Sequence, residues 1–347
     1  MIFVEQRYRN IERRTVPYRI KNLIIRIIFT QIITLNTYIV DMDPLSSILE
    51  FTKLKGLVCD TLSAKGSWGL EMGRNETVQF WRLIKGACLV GLYDGPIVAM
   101  KEGDIVIIPH GAAHWLGDHE ESVRVTQDAF VKSKDTGVNV FANSGMETIM
   151  VGGYFTFDQQ QIHPFFKNLP QIIQISQFGS QYQQILEHTA GLMFAEIKDE
   201  RPGKNMMRKS LAELLFITVI RAYLEQACPK QGFLAALNDG QISAALKLMH
   251  NTPEQLWTLE LLAREVGMSR SVFAARFKKL IGETPLTYLT NWRISKACEI
   301  LTNEKITIDE VAYRVGYQSE PAFNRIFKAK MGNTPAVYRK YRKSESV

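Results

Sequence analysis

The C-terminal third of the chain contains one residue pattern twice, and this repeat constrains the fold more than any other feature. The first copy runs from Ala263 to Pro285 and includes the runs AREVGMS, FK and GETP. The second copy runs from Ala312 to Pro335 and includes AYRVGYQS, FK and GNTP. The landmarks are offset by 49 residues before an internal turn and by 50 after it. Two matched copies predict that the chain builds the same small unit twice.

Each copy begins with a pattern typical of a short helix that ends in a tight turn. Thr258 and Thr307 are candidate N-caps, and Thr307 with Glu310 forms a capping box. Gly267 and Gly316 end the two patterns, because glycine readily adopts the left-handed conformation that closes a helix. Between cap and glycine the apolar residues recur at helical spacing: Leu259, Leu262, Ala263 and Val266, then Ile308, Val311, Ala312 and Val315.

The second half of each copy predicts a second helix, which Ser269 or Ser319 can cap. Large apolar residues mark its inward face: Phe273, Phe277, Leu280 and Ile281 in the first copy, and Phe323, Ile326, Phe327 and Met331 in the second. Two helices joined by a tight turn predict helix-turn-helix units at about 259–280 and 307–330.

The outer face of each second helix carries the candidate DNA-binding residues. Arginine can bond guanine through two hydrogen bonds, asparagine can pair with adenine, glutamate can accept from cytosine, and lysine more often meets phosphate. Small side chains permit close approach to the groove. The alternative is that these are ordinary solvated faces. The residues are Arg270, Ser271, Ala274, Ala275 and Lys278 in the first copy, and Glu320, Asn324, Arg325 and Lys328 in the second.

A third helix is predicted between the two copies, from Thr284 to Thr302. Thr284 is its N-cap and Pro285 its first residue, and its buried side carries Leu289, Trp292, Ala297, Ile300 and Leu301. A helix of about 18 residues spans about 27 Å. Successive major-groove faces of a duplex lie roughly 34 Å apart. This spacer helix therefore predicts that both units read one side of one duplex.

The charge distribution agrees with a polyanion-binding end. Residues 240–347 carry 17 basic against 10 acidic residues, whereas residues 42–239 carry 18 basic against 22 acidic. Charge alone leaves open whether the basic end binds a polyanion or is a solvated face.

Residues 240–343 resemble the DNA-binding domain of the AraC (arabinose-regulator) family of transcription factors. The resemblance rests on both copies of the repeat, on Trp292-Arg293 between them and on Tyr338-Arg339 after the second. It implies a seven-helix domain whose third and sixth helices enter the major groove of double-stranded DNA. It also implies a regulator that acts on RNA polymerase. The four scattered cysteines, with no C-x-x-C pair among them, favour a cytoplasmic location.

The region 42–175 predicts a β-barrel or sandwich. Short runs rich in branched and aromatic residues, 79–84, 87–93, 96–100 and 105–109, are divided by glycine-centred turns, of which Asp94-Gly95 is a candidate hairpin. The spacing of Gly103, Pro109, Gly111 and His114 resembles the second motif of the cupin barrel, although Asp118 stands where that motif has asparagine. The segment His163-Pro164-Phe165-Phe166 resembles the end of the sensor domain in cupin-bearing members of the AraC family.

The metal site of enzymatic cupins is not predicted here. If Gly86 belongs to the first cupin motif, its glutamate position falls on Gln79 and its histidine positions on Gly73 and Asn75. Only His114 of four implied ligands remains, and one imidazole does not hold a divalent ion usefully. We therefore predict no metal, no cofactor and no enzymatic activity, with Trp81 and His114 as candidate contacts for a small-molecule or redox effector. The alternatives are a metal-dependent cupin enzyme fused to a DNA-binding module, and an alkyl-accepting repair protein.

The remaining segments are a leader and a linker. Residues 1–41 differ from the rest in composition, and we interpret them as lying outside the native protein, with a start at Met42; a membrane anchor is the alternative. Residues 176–239 predict two linker helices, 181–195 and 206–227, which either form a homodimer or pack within the chain. We thus expect a multidomain α+β chain: a cupin-like sensor at 42–175, a helical linker at 176–239 and an all-α DNA-binding domain at 240–343.

Overall fold

A computed structural model describes residues 42–137, 139–157, 163–176, 182–198 and 201–344. Within these residues the N-terminal region forms two five-stranded sheets, in the orders β1-β9-β3-β6-β10 and β5-β4-β7-β2-β8. The strands are β1 (Lys55–Lys65), β2 (Gly69–Met72), β3 (Val78–Lys85), β4 (Ala87–Leu92), β5 (Ile97–Lys101), β6 (Ile105–Ile108), β7 (His114–Gly117), β8 (Val125–Thr126), β9 (Glu147–Thr156) and β10 (Ile173–Ile175). The expected β-rich N-terminal domain is confirmed. Its two sheets remain open at their edges.

The sheet that contains β3 and β6 is buried on both faces, which explains why β6 is a continuous apolar run and why most residues of β3 are apolar. Successive residues of a strand point to opposite faces. Phe80 and Ile107 therefore pack in a core that extends beneath the helices. Trp81 and Val106 pack in a second core between the two sheets. The predicted hairpin is present, because β4 pairs antiparallel with β5 across Asp94-Gly95.

Six helices accompany the sheets among the described residues: α1 (Pro44–Phe51), α2 (Gln127–Asp135), α3 (Pro164–Lys167), α4 (Gln183–Lys198), α5 (Lys204–Ala227) and α6 (Gly232–Asn238). The predicted linker helices correspond to α4 and α5. The buried side of α5 joins the core of the chain itself through Leu211, Leu215 and Val219. It approaches β1 so closely that a Cβ on Gly56 would lie 2.3 Å from that of Ala212. The linker therefore packs within the chain, and its role in a dimer stays a prediction.

The C-terminal region folds into seven further helices: α7 (Gly240–Asn251), α8 (Leu259–Glu265), α9 (Arg270–Ile281), α10 (Pro285–Asn303), α11 (Ile308–Arg314), α12 (Glu320–Met331) and α13 (Pro335–Ser344). The third and sixth of these, α9 and α12, are the second helices of the two predicted units. The spacer helix is α10. Of the helices in the described ranges, none is long and apolar enough to cross a membrane. The predicted leader, residues 1–41, lies outside those ranges.

Candidate DNA-binding surface and sensor cavity

The caps predicted for the helix-turn-helix units are present with two exceptions. Thr258 accepts a hydrogen bond from the backbone of its helix, as does Thr307. Ser269 caps α9 in the same way at 3.4 Å. Ser319 makes no side-chain cap bond, since its backbone is more extended. The capping box is also only half formed, because the carboxylate of Glu310 accepts from Arg314 at 2.7 Å instead of turning back to the cap.

The recognition helix of the second unit, α12, presents a basic outer face. Phe323 and Phe327 are fully buried, which fixes the rotation of the helix. Arg325 and Lys328 are exposed and form no ion pair with a described residue. Asn324 is half-buried and donates to Glu320 at 3.2 Å. Of the four predicted residues, Arg325 and Lys328 are thus the two that extend freely into solvent.

The recognition helix of the first unit, α9, carries smaller side chains on its outer face. Ser271, Ala275 and Lys278 are exposed, and Ala274 is half-buried. Arg270 forms an ion pair with Glu260 of α8, with Nε 2.8 Å from Oε1. Both side chains are largely exposed, so this pair is weak and does not prevent Arg270 from reaching DNA.

A residue that sequence reasoning used only as a family match, Arg293, joins the two units. Its guanidinium donates to the backbone oxygens of Pro253 and Gln255, each at 2.7 Å, and lies 5.8 Å from the ring centre of Tyr317. Gly316, in the turn of the second unit, lies directly against this cluster. A Cβ at Gly316 would be 2.7 Å from an Arg293 nitrogen and from the Pro253 oxygen. Arg293 therefore fastens the turn of the second unit to the segment that precedes the first.

A cavity of about 420 Å³ opens between the two sheets of the N-terminal domain. Its wall is mostly apolar, and its polar side chains include Asn75, Thr77 and Gln79 together with the charged Lys134 and Asp135. Gln79 is 4% exposed, and its Oε1 has no hydrogen-bond partner among the described residues. The apolar lining consists of Leu62, Leu70, Met72, Trp81, Phe130 and Val131.

The two predicted ligand contacts are adjacent, but only Trp81 lines this cavity. His114 lies behind the indole, where its Nε2 accepts from Trp81 Nε1 at 3.3 Å. Its Nδ1 then carries the proton and donates to the Ala112 oxygen at 2.9 Å. Burial lowers the pKa of His114 to about 4, so the imidazole is neutral at pH 7. The geometry makes His114 a residue that orients Trp81, and its direct contact with a ligand stays a prediction.

The residues at the implied cupin metal positions do not fit a metal. Both nitrogens of His114 are engaged by Trp81 and Ala112. The positions aligned with the other ligands are Gly73, Asn75 and Gln79, which offer no anionic or imidazole ligand. In the described part of the chain, no group of three or more His, Cys, Asp or Glu side chains is arranged to hold a metal ion.

Comparison with known proteins agrees with the two-domain reading. The family model described as Cupin matches residues 43–225, which is more than half of the chain, and the model described as Helix-turn-helix domain matches residues 262–341. A putative AraC-like transcription regulator of Streptomyces antibioticus is 29% identical over 302 residues, covering 86% of this chain and 99% of that protein. The transcriptional regulator AlkR of Acinetobacter baylyi is 29% identical over 308 residues, with the same coverage. The chain belongs to the AraC-type regulators that carry a cupin domain.

Among solved structures, the DNA-binding domain of AdpA in complex with a target DNA is 32% identical to this AraC-type chain. The match covers 31% of this chain and 96% of the AdpA chain, with a TM-score of 0.30. The seven helices α7 to α13 have the arrangement that the AraC resemblance implies, with two helix-turn-helix units on either side of α10.

Sequence reasoning missed the glycine that makes room for Trp81 in the cupin domain. A Cβ at Gly152 on β9 would lie 2.4 Å from the indole ring, so only glycine leaves the ring in its present position. The glycine pair Gly152-Gly153 is visible in the sequence. Its partner on β3, however, is set by a register across about 70 residues.

Proposed function

We propose that this AraC-type regulator is a one-component sensor that reads double-stranded DNA with α9 and α12 and binds a small-molecule effector between its sheets. The observation that carries the proposal is the pair of matched recognition helices, each anchored by two buried phenylalanines and turned with small or basic side chains to solvent. The predicted action on RNA polymerase follows from this role.

Arg325 is the proposed base-reading residue, and Lys328 the proposed phosphate contact. Arg325→Ala should cost about 1–3 kcal/mol on the preferred site and relax base preference at one or two positions. Lys328→Ala should weaken binding to all sequences alike and lower the slope of log affinity against log salt by about 0.9.

Binding titrations of both variants test this, on matched and mismatched duplexes at several salt concentrations. The matched DNA sites are identified by selecting the sequences that the protein binds from a pool of random duplexes. Lys330→Ala is a matched control, because Lys330 is an exposed lysine at the end of the same helix. Equal weakening of every duplex by Arg325→Ala would make Arg325 a backbone contact and remove it from base reading.

The effector is proposed to be a largely apolar small molecule with one N–H or O–H donor. A mostly apolar wall selects an apolar body. The Oε1 of Gln79 is a buried acceptor with no described hydrogen-bond partner, which costs free energy. A donor on the ligand would supply the missing hydrogen bond and remove that cost. A thermal-shift screen that compares matched primary amides, alcohols and esters tests this preference, with Gln79→Leu as the variant that should abolish the discrimination.

Three further properties are proposed from the family and the fold. The relatives are named transcription regulators, which supports sensing rather than enzymatic turnover. A homodimer would use exposed apolar side chains on α4 and α5, such as Leu192 and Leu214. Sedimentation of the full chain, compared with that of Leu214→Glu, tests this assembly. We place the regulator in the cytoplasm, where its DNA target is accessible.

A further inference from the structure

The sensor and DNA-binding domains share one continuous buried core, and Tyr288 lies where they meet. The core contains Phe155 and Phe165 from the sensor domain together with Phe277 and Leu289 from the DNA-binding domain. Tyr288 is 1% exposed and lies in the first turn of α10, the spacer helix between the two helix-turn-helix units. Any contact between the sensor and Tyr288 therefore acts on the helix that sets the relative position of the units.

The hydroxyl of Tyr288 lies between two histidines from different domains. His163, at the start of α3 in the sensor domain, has its Nε2 2.9 Å from the hydroxyl oxygen. His250, near the end of α7, has its Nε2 2.7 Å from the same oxygen. A phenol has one proton to donate and can also accept, so it can serve both histidines only if one donates and the other accepts.

The backbone decides which histidine donates. The N–H of Phe165 donates to His163 Nδ1 at 3.2 Å, so that nitrogen carries no proton. The neutral ring then carries its proton on Nε2 and donates it to Tyr288. Tyr288 in turn donates to Nε2 of His250, whose own proton must be on Nδ1. The hydrogen bonds thus run in one direction from the sensor domain into the DNA-binding domain.

The chain of hydrogen bonds ends on an unsatisfied donor. Nδ1 of His250 has no partner among the described residues. The ring stacks on Trp292 with centroids 3.9 Å apart, and the residue is 5% exposed. A buried donor without an acceptor costs free energy that water would recover on opening. The docked arrangement is therefore well defined in geometry and carries a penalty that favours release.

We propose that the His163–Tyr288–His250 chain is a reversible hydrogen-bonded contact between the domains, called the catch below. Through it the sensor domain holds the spacer helix and fixes the relative position of the two recognition helices. The inference rests on the proposed DNA reading by both units. A second contact supports it: Phe51 of α1, in the sensor domain, packs on Trp292 one turn along the same face of α10, at 5.2 Å between ring centres.

The catch requires neutral histidines. Burial lowers the pKa of His163 to about 3, and burial together with the nearby His163 and Lys296 lowers that of His250. Burial raises the pKa of the Tyr288 hydroxyl, and Glu283 adds to this effect. All three groups are therefore uncharged at pH 7. A protonated His163 could not accept from Phe165, so protonation opposes the docked state.

Tyr288→Phe in the full chain tests the catch, because it keeps the buried ring and removes both hydrogen bonds. Tyr317→Phe is the matched control: its hydroxyl is also buried but has no described hydrogen-bond partner. Hydrogen exchange of the 163–167 backbone should rise at least tenfold in Tyr288→Phe and stay unchanged in Tyr317→Phe. His163→Leu should behave like Tyr288→Phe, and His163→Gln, which can still donate, should lie nearer to wild type.

The functional measurement is the affinity for DNA in which the distance between the two half-sites is changed, where a half-site is the stretch of DNA that one helix-turn-helix unit contacts. One base pair inserted between the half-sites should weaken binding by wild type at least fivefold more than binding by Tyr288→Phe. The catch would be overturned if Tyr288→Phe kept both the wild-type exchange rate at 163–167 and the wild-type loss of affinity for the lengthened site. Failure of DNA reading itself would instead appear as loss of sequence preference on a single half-site, which the catch does not affect.

Discussion

The glycines of the two turns offer a matched experiment on how the second unit is fastened. Gly267 and Gly316 occupy the same position in the two copies, with φ of 67° and 88°. A Cβ at Gly267 would meet nothing within 4 Å, whereas a Cβ at Gly316 would meet Arg293 and the Pro253 oxygen at 2.7 Å. Alanine at either position thus bears the same backbone strain, and only Gly316→Ala also disturbs the Arg293 contacts.

The structure gives the size of this difference. The left-handed conformation costs an L-residue about 1–2 kcal/mol. Loss of one hydrogen bond from a charged donor adds about 1.5–3 kcal/mol. Gly267→Ala should therefore destabilise its unit by about 1–2 kcal/mol, and Gly316→Ala by about 2.5–5 kcal/mol.

Hydrogen exchange of the full chain is the suitable assay, because global unfolding of several domains is not a two-state process. Since about 1.4 kcal/mol is a factor of ten, Gly316→Ala should accelerate exchange in α11 and α12 by about sixtyfold or more. Gly267→Ala should accelerate exchange in α8 and α9 by about five- to thirtyfold. In an Arg293→Ala background the extra effect of Gly316→Ala should shrink. Equal factors for the two glycines would show that the Arg293 cluster adds nothing to stability.

Three further outcomes follow from single contacts. Thr307→Ala should cost about 1 kcal/mol by hydrogen exchange in α11, whereas Ser319→Ala, which loses no cap bond, should cost only a few tenths by exchange in α12. Lowering the pH from 6.5 to 5.5 should weaken domain docking about fivefold for each histidine of the catch, because their lowered pKa values make the docked state favour the neutral form. Exchange at 163–167 reports this change, and His163→Gln should lose one of the two factors. Gly152→Ala should displace Trp81 and change its fluorescence, while Gly73→Ala, which meets nothing within 4 Å, should not.

Local features of the fold could be predicted because each depends on residues close in sequence. The caps at Thr258 and Thr307, the turn glycines and the hairpin at Asp94-Gly95 require only a few neighbouring residues. The two exceptions, Ser319 and the Glu310 half of the capping box, arise where another conformation or partner competes for a short polar side chain.

The contacts that define the sites join distant segments and leave no local pattern. Arg293 meets Pro253 across 40 residues, and His163 meets Tyr288 across 125. Whether a histidine lines a cavity or stands behind a tryptophan is likewise decided by strand register, as for His114 and Trp81. Such partners depend on how domains dock and strands pair, which residue spacing along one segment does not determine.

The same core that joins the domains also connects the sensor cavity with the catch. Trp81 lines the cavity, and Phe80, the preceding residue of β3, points to the opposite face of the sheet. From there aromatic rings follow one another with centroids 4.9–6.3 Å apart: Phe80, Phe155, Phe216, Phe166, Phe165, Phe233 and Tyr288. Packed interiors are nearly incompressible, so a ligand that shifts β3 must be accommodated along this row. An effector can change DNA binding only as far as its affinity differs between the docked and released states. The unsatisfied donor of the catch makes the docked state less favourable, which reduces the difference in affinity that is needed to move that equilibrium.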